Sequence, residues 1–167
     1  MKKSLLATML AVALASGSSR AEQPITQDAL SGSWKVLSLK ATTGDKVAHP
    51  LGDKVDGYVT ITPTRIWLLF VDGTRKTPAA PTLTDAEAVE MMKTQVAWTG
   101  KYTLGEQTAD GIRLTAHVDA ASSQAIFNTD RVYFIRMDDN KITFTGKVIV
   151  PMTGATSTVV FEMMKSD

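Results

Sequence analysis

Four polar residues in the second half of the chain have the types and the spacing that acid–base chemistry requires. They take every second position of a run whose other positions are apolar: Arg113, Thr115, His117 and Asp119. Side chains two residues apart on a strand project from one face. If that face points into an enclosed space, His117 can donate or accept a proton, Asp119 can orient it, and Arg113 can pair with a carboxylate or an enolate. If it points into solvent, as the polar side of an antiparallel sheet usually does, the four form an ordinary strand surface, and we favour this interpretation.

A second pair, Arg131 and Tyr133, shares a strand face in the same way. A guanidinium group can stabilise negative charge that develops on a substrate, so Arg131 or Arg113 can assist His117 in an isomerisation, a cyclisation or a dehydration. The alternative role is structural, because an arginine near one end of a small barrel can stack on an aromatic ring and hold it in place. The spacing is compatible with both roles.

Aromatic side chains are the natural lining of a small-molecule cavity. Five of them are placed to line such a cavity: Trp67, Trp98, Tyr102, Phe127 and Tyr133. The alternative is that they are ordinary core residues, since large aromatic side chains usually serve packing first. The sequence leaves both interpretations open.

Composition and missing motifs exclude several classes of site. The chain has no cysteine, so it has no disulfide bond, thiolate ligand or thiol nucleophile. Its two histidines are far apart and lack the carboxylate spacing of a zinc site, so no metal is expected. The sequence patterns of serine hydrolases, P-loop proteins, dinucleotide-binding proteins and zinc peptidases do not occur, and no cofactor is expected.

Strand periodicity runs through most of the chain and would position these residues. Eight runs of this kind are present: 33–40, 57–62, 65–71, 98–104, 112–119, 131–137, 141–148 and 156–164. Many are joined by turns too short for parallel crossovers, so the sheet should be antiparallel. One segment differs, because Thr84 and Glu87 have the spacing of a capping box and residues 84–94 follow with helical periodicity. We therefore predict an all-β, up-and-down eight-stranded barrel with one capping helix, since closure removes the exposed edges of a sheet.

Residues 1–21 have the features of a secretion signal. A basic start at Lys2 and Lys3 precedes an apolar run that is too short to span a bilayer, and small residues precede the cut expected after Ala21. We expect a periplasmic or secreted protein without a membrane anchor, in which residues 22–29 form a polar arm and residues 30–167 one barrel domain. Cleavage removes three basic residues and leaves 15 basic against 17 acidic ones, so nucleic acid is not an expected partner.

Three sequence blocks resemble a known family. They are Leu-Ser-Gly-Ser-Trp-Lys-Val from Leu30, Gly-Tyr-Val-Thr-Ile-Thr-Pro from Gly57 and Ala-Trp-Thr-Gly-Lys-Tyr from Ala97. Together with His117 and the Arg-x-Tyr at Arg131, they are similar in order and in type to the blocks of bacterial and fungal lipocalin-like domains. The resemblance implies a calycin-type barrel with one helix as a lid and with Trp34 as a plug at its base.

The sequence supports three functions. The leading hypothesis is that the barrel cavity binds a small, largely apolar or aromatic molecule. The second is an enzyme that transfers protons in the same cavity, with His117 as the acid or base. The third is an envelope protein whose outer face binds a partner. No motif of the chain identifies the ligand, the oligomeric state or the pathway.

Overall fold

The computed structural model describes residues 25–78, 80–149 and 155–166. Two helices and nine strands make up this part of the chain: α1 (Gln27–Leu30), β1 (Gly32–Thr43), β2 (Lys46–Ala48), β3 (Val55–Ile61), β4 (Arg65–Asp72), α2 (Asp85–Lys93), β5 (Gln95–Thr108), β6 (Gly111–Ala121), β7 (Asp130–Asp138), β8 (Lys141–Ile149) and β9 (Thr156–Lys165). The predicted leader, residues 1–21, lies outside the described residues.

The sheet closes on itself as an antiparallel barrel. Neighbouring strands follow one another from β3 to β9, and β1 pairs with both β3 and β9, so that eight strands surround a common core. The three-residue strand β2 only extends the end of β1 as a hairpin. The predicted all-β, eight-stranded barrel is thereby confirmed, and each of the eight predicted strands is present.

Alternation of apolar and polar residues decides which side of each strand faces the core. In β6, Ile112, Leu114, Ala116 and Val118 are buried. Residues Arg113, His117 and Asp119, at the intervening positions, are exposed. Successive side chains of a strand point to opposite faces of the sheet, so the apolar set fills the barrel and the polar set covers its outer wall.

One end of the barrel is closed by the short helix α1. Thr26 caps this helix by accepting a hydrogen bond from the Ala29 amide, and Leu30 at its end is fully buried. Trp34 is fully buried beside it and donates its indole N–H to the Leu30 carbonyl at 2.8 Å. The sequence predicted a polar arm here, and four helical residues are too few to show a helical period. Trp34 occupies the base of the barrel, as the family resemblance implied.

The second helix stands at the opposite, open end. The predicted capping box is present: Thr84 accepts a hydrogen bond from the Glu87 amide, and the Glu87 carboxylate accepts one from the Thr84 amide. Arg75 fixes the far end of α2 by donating to the Thr94 hydroxyl at 2.8 Å and to the Met91 carbonyl. No residue of α2 is buried, so the helix rests at the rim of the barrel and is not packed into its opening.

Candidate functional site

The middle of the barrel is filled by four aromatic rings centred on Tyr133. Its ring is parallel to that of Trp98, with centroids 6.3 Å apart. It also contacts the rings of Phe144 and Phe161, with centroid distances of 5.7 and 5.2 Å. Two of the five predicted lining residues, Trp98 and Tyr133, therefore form an aromatic floor below the open end.

The Tyr133 side chain is buried, and its hydroxyl has no hydrogen-bond partner among the described residues. The side chain is 4% exposed, and burial raises the pKa of its hydroxyl to about 12, a rise that the positive charge of Arg131 partly opposes. No described residue hydrogen-bonds this hydroxyl. Within the described residues, every side-chain nitrogen or oxygen that is sealed from solvent has a partner. The Tyr133 oxygen must therefore touch a space that a water molecule can enter.

Arg131 lies two residues from Tyr133 on the inward face of β7, closer to the open end. It is half-buried. The ion pairs found among the described residues are Lys35–Asp56, Arg65–Asp119 and His117–Asp130, and none includes Arg131. The open end of the barrel thus holds a guanidinium group whose charge no described carboxylate neutralises.

The pairing between β7 and β8 also stops short of Arg131. The pairing of β7 with β8 begins at Tyr133 and Gly146, although β7 begins at Asp130 and β8 continues to Ile149. The first three residues of β7 consequently lack a partner on β8, while β8 stays paired with β9 up to Ile149. The strands diverge next to Arg131, which widens the approach to the Tyr133 hydroxyl.

The predicted catalytic strand face points outward. His117 contacts Asp130, with Nδ1 and Oδ1 2.9 Å apart, and their side chains are 56% and 63% exposed. Asp119, which was expected to orient His117, instead accepts two hydrogen bonds of 2.7 Å from Arg65. Arg113 is exposed on the same wall. The condition for proton transfer by this set, a shared enclosed space, is not met, and of the four predicted catalytic residues only Arg131 faces the interior.

Two partners of this outer wall, Arg65 and Asp130, were not identified from the sequence. Arg65 holds the pKa of the Asp119 carboxyl below its usual value, chiefly through these hydrogen bonds. Arg65 is 54 residues from Asp119 along the chain, and only the register of β4, β5 and β6 brings them together. No local signal in the sequence marks such a cross-strand pair.

Comparison with family models assigns the fold to a known group. The model of the lipocalin-like domain matches residues 31–163. The chain belongs to the lipocalin-like domain family. The search of curated proteins found no match, and the search of solved structures found none either.

The lipocalin-like barrel separates the three other predicted lining residues. Tyr102 faces the interior at the closed end, where its hydroxyl donates to the Thr62 carbonyl at 2.9 Å, a structural contact. Phe127 is 44% exposed in the turn between β6 and β7, at the open end. Trp67 is 53% exposed on the outer wall, so the prediction that it lines the interior is wrong. The strand β4 is apolar on both faces, and its composition does not reveal which face is inside.

Two concave surfaces lie on the described part of the outer wall of the lipocalin-like barrel. One, of about 460 Å³, crosses β3 to β6 and includes Tyr58, Trp67 and Leu69, whose side chains are 46%, 53% and 51% exposed. The other, of about 800 Å³, crosses β7 to β9 and includes Phe134 and Lys147. The first surface is an exposed apolar patch of the kind on which the envelope-protein hypothesis depends.

Two further kinds of feature are absent from the described ranges 25–78, 80–149 and 155–166. These residues contain no group of three or more His, Asp or Glu side chains that is able to hold a metal ion. They also contain no helix of the length and apolarity that a bilayer crossing requires.

Proposed function

We propose that this lipocalin-like protein binds a small, largely apolar or aromatic molecule at the open end of its barrel, above the rings of Trp98 and Tyr133. The observation that carries the proposal is the Tyr133 hydroxyl, which belongs to a side chain that is 4% exposed, has no hydrogen-bond partner among the described residues and touches space that a water molecule can enter. A ligand that accepts its hydrogen bond can replace that water, whereas a ligand that excludes the water without accepting the bond would lose roughly 1–3 kcal/mol.

The surroundings of this hydroxyl favour an apolar ligand body. Val96, Ala121 and Val148 are partly buried around the open end and pack against the core. The rim adds exposed apolar side chains, among them Phe127 and Met92. Binding pockets for small molecules are typically built in this way, with an apolar wall and a few polar groups that set orientation. An eight-stranded barrel is just wide enough for its side chains to fill it or for one small ligand to enter, so the proposed ligand lies above the rings and not among them.

The proposal includes export, because residues 1–21 have the composition of a cleavable signal. The test is to express the full chain in a Gram-negative host and to measure the mass of the protein in the periplasmic fraction. We expect a mature chain that starts at Glu22. An intact chain confined to the cytoplasm overturns this part of the proposal and leaves the binding part to be judged separately.

Binding is tested with N-phenyl-1-naphthylamine, a neutral aromatic probe whose fluorescence rises in apolar surroundings. We expect saturable binding of one probe per chain, and we expect Trp98→Leu to raise Kd about tenfold because it removes half of the aromatic floor. Trp67→Leu is the matched control, since it removes the same side chain from the outer wall and should leave Kd unchanged.

Two results overturn the binding proposal. One is the absence of saturable binding to the wild-type chain. The other is a loss of binding in Trp67→Leu together with normal binding in Trp98→Leu, which places the probe in the outer groove. Circular dichroism and thermal melts of both variants show whether each is folded before binding is compared.

A further inference from the structure

We infer that the molecule bound at the open end carries one anionic oxygen group, a carboxylate, which the Tyr133 hydroxyl and the Arg131 guanidinium bind together. This inference rests on the proposed function and names the class of ligand for the same site: an aromatic or alicyclic monocarboxylate whose ring lies against the Trp98 and Tyr133 floor.

The first argument is the geometry of the two donors. Arg131 and Tyr133 are two residues apart on the inward face of one strand, so their Cα atoms are about 7 Å apart and their side chains project in the same direction. A guanidinium group has five N–H donors and no acceptor, and the tyrosine hydroxyl has one O–H donor. Neither group has a hydrogen-bond partner among the described residues. The two groups together therefore offer their donors to an acceptor that can face both at once.

The second argument is the distribution of charge around Arg131. The neighbouring Asp130 points to the outer face and pairs with His117. At the same end of the barrel, Asp72 accepts hydrogen bonds from the amide and the hydroxyl of Thr74 at 2.8 and 2.7 Å. These two carboxylates are thus engaged elsewhere, and the half-buried guanidinium group of Arg131 keeps planar, weakly hydrated N–H donors that match a carboxylate. Charge-assisted hydrogen bonds of this kind are also the strong ones.

The third argument limits the charge of the ligand. Arg131 is the one cation that the described residues place on the inward face next to Tyr133. The Trp98 ring that stacks on Tyr133 is apolar, and so is Val148, which packs against the core. A dianion such as a phosphate monoester would bring a second negative charge into this environment without a partner, at a large desolvation cost. A monocarboxylate matches the single positive charge, and its two oxygens match the two donor groups.

The test compares two probes of the same shape, 2-naphthoate and its neutral methyl ester, by isothermal titration at pH 7. We expect the wild-type chain to bind 2-naphthoate about tenfold or more tightly than the ester, because the ester keeps the ring but loses the charge. Arg131→Gln should abolish this preference, and Tyr133→Phe should reduce it severalfold. Arg131→Lys should keep part of the preference, since it keeps the charge but not the planar fork.

Arg113→Gln is the matched control, because it removes the same charge from the outer wall and should leave the preference unchanged. Binding of the ester shows in each variant that the site is folded and that the proposed function holds. If both probes bind the wild-type chain equally, the carboxylate inference is wrong and the proposed function stands. If neither probe binds, the proposed function itself fails. If Arg113→Gln and Arg131→Gln lose the preference for 2-naphthoate equally, the carboxylate is attracted by surface charge, and the inference is overturned.

Discussion

The ring of Tyr133 lies directly against the backbone of Gly146 on the neighbouring strand. A Cβ atom at position 146 would stand 2.6 Å from Cδ1 and 2.9 Å from Cε1 of the ring, well inside ordinary contact distance. These two residues also form the last pair between β7 and β8 before the strands diverge. The glycine thus allows the ring to lie flat over the sheet and sets where the aromatic floor sits.

Gly146→Ala should displace the Tyr133 ring and destabilise the barrel. We expect a loss of about 1–3 kcal/mol in the free energy of unfolding, the usual cost of an added methyl group in a packed core, together with weaker binding of the naphthyl probe. Urea unfolding measures the first effect and fluorescence titration the second. Gly105→Ala is the control, because the nearest atom to its added Cβ, in Arg113, is 3.5 Å away. Equal stability of the two variants would contradict the proposed role of Gly146.

The two tryptophans Trp34 and Trp67 should differ strongly in their contribution to stability. Trp34 is fully buried, donates a hydrogen bond to Leu30 and lies 5.4 Å from the Lys165 ammonium group. Its replacement by alanine should cost about 3–5 kcal/mol, the usual range for a large buried ring. Trp67→Ala, on the outer wall, should cost about 1 kcal/mol or less. Chemical denaturation of both variants measures these losses in the free energy of unfolding. A similar loss in both would show that the Trp67 side chain is buried and not exposed on the outer wall.

Alkaline pH should destabilise the barrel through Tyr133. Its pKa is raised from 10.0 to about 12 by burial, so the folded state holds the proton over a range in which the unfolded state releases it. The free energy of unfolding that depends on this proton is fully present below pH 10 and is lost as the pH rises towards 12. This part of the stability amounts to at most about 3 kcal/mol.

Urea unfolding at pH 8, 10 and 11 measures this effect, and Tyr133→Phe should show a shallower decline than the wild-type chain. Tyr102 also has a raised pKa, chiefly through burial, and contributes to the decline in both proteins. Identical slopes would mean that the Tyr133 hydroxyl is solvated in the folded state.

Loss of the α2 cap should act locally. Thr84→Ala removes the side chain that accepts the Glu87 amide, which typically costs about 1 kcal/mol of helix stability. Because α2 buries none of its residues, global unfolding should change little, whereas amide exchange within α2 should accelerate about fivefold. Hydrogen exchange and a thermal melt measured together test this, and a large drop in Tm would show that α2 stabilises the barrel.

How much of the site could be predicted differs between strands. In β6 the polar set alternates with an apolar set, so the outward position of His117 and Asp119 was the favoured interpretation and the structure agrees with it. In β4 both faces are apolar, and Trp67 was assigned to the interior although Ile66, Leu68 and Phe70 occupy it. Alternation identifies the two faces of a strand, but it identifies the inner one only when the other is polar.

The sequence by itself determined the antiparallel eight-stranded barrel and the capping box of α2, because these follow from periods and spacings within one segment. Only the tertiary structure decided that Arg65 and not His117 pairs with Asp119, that α1 closes the base, and that the Tyr133 hydroxyl and Arg131 have no partner among the described residues. Each of these depends on register and closure, which bring together residues far apart in the chain, and no local pattern records which residues then meet.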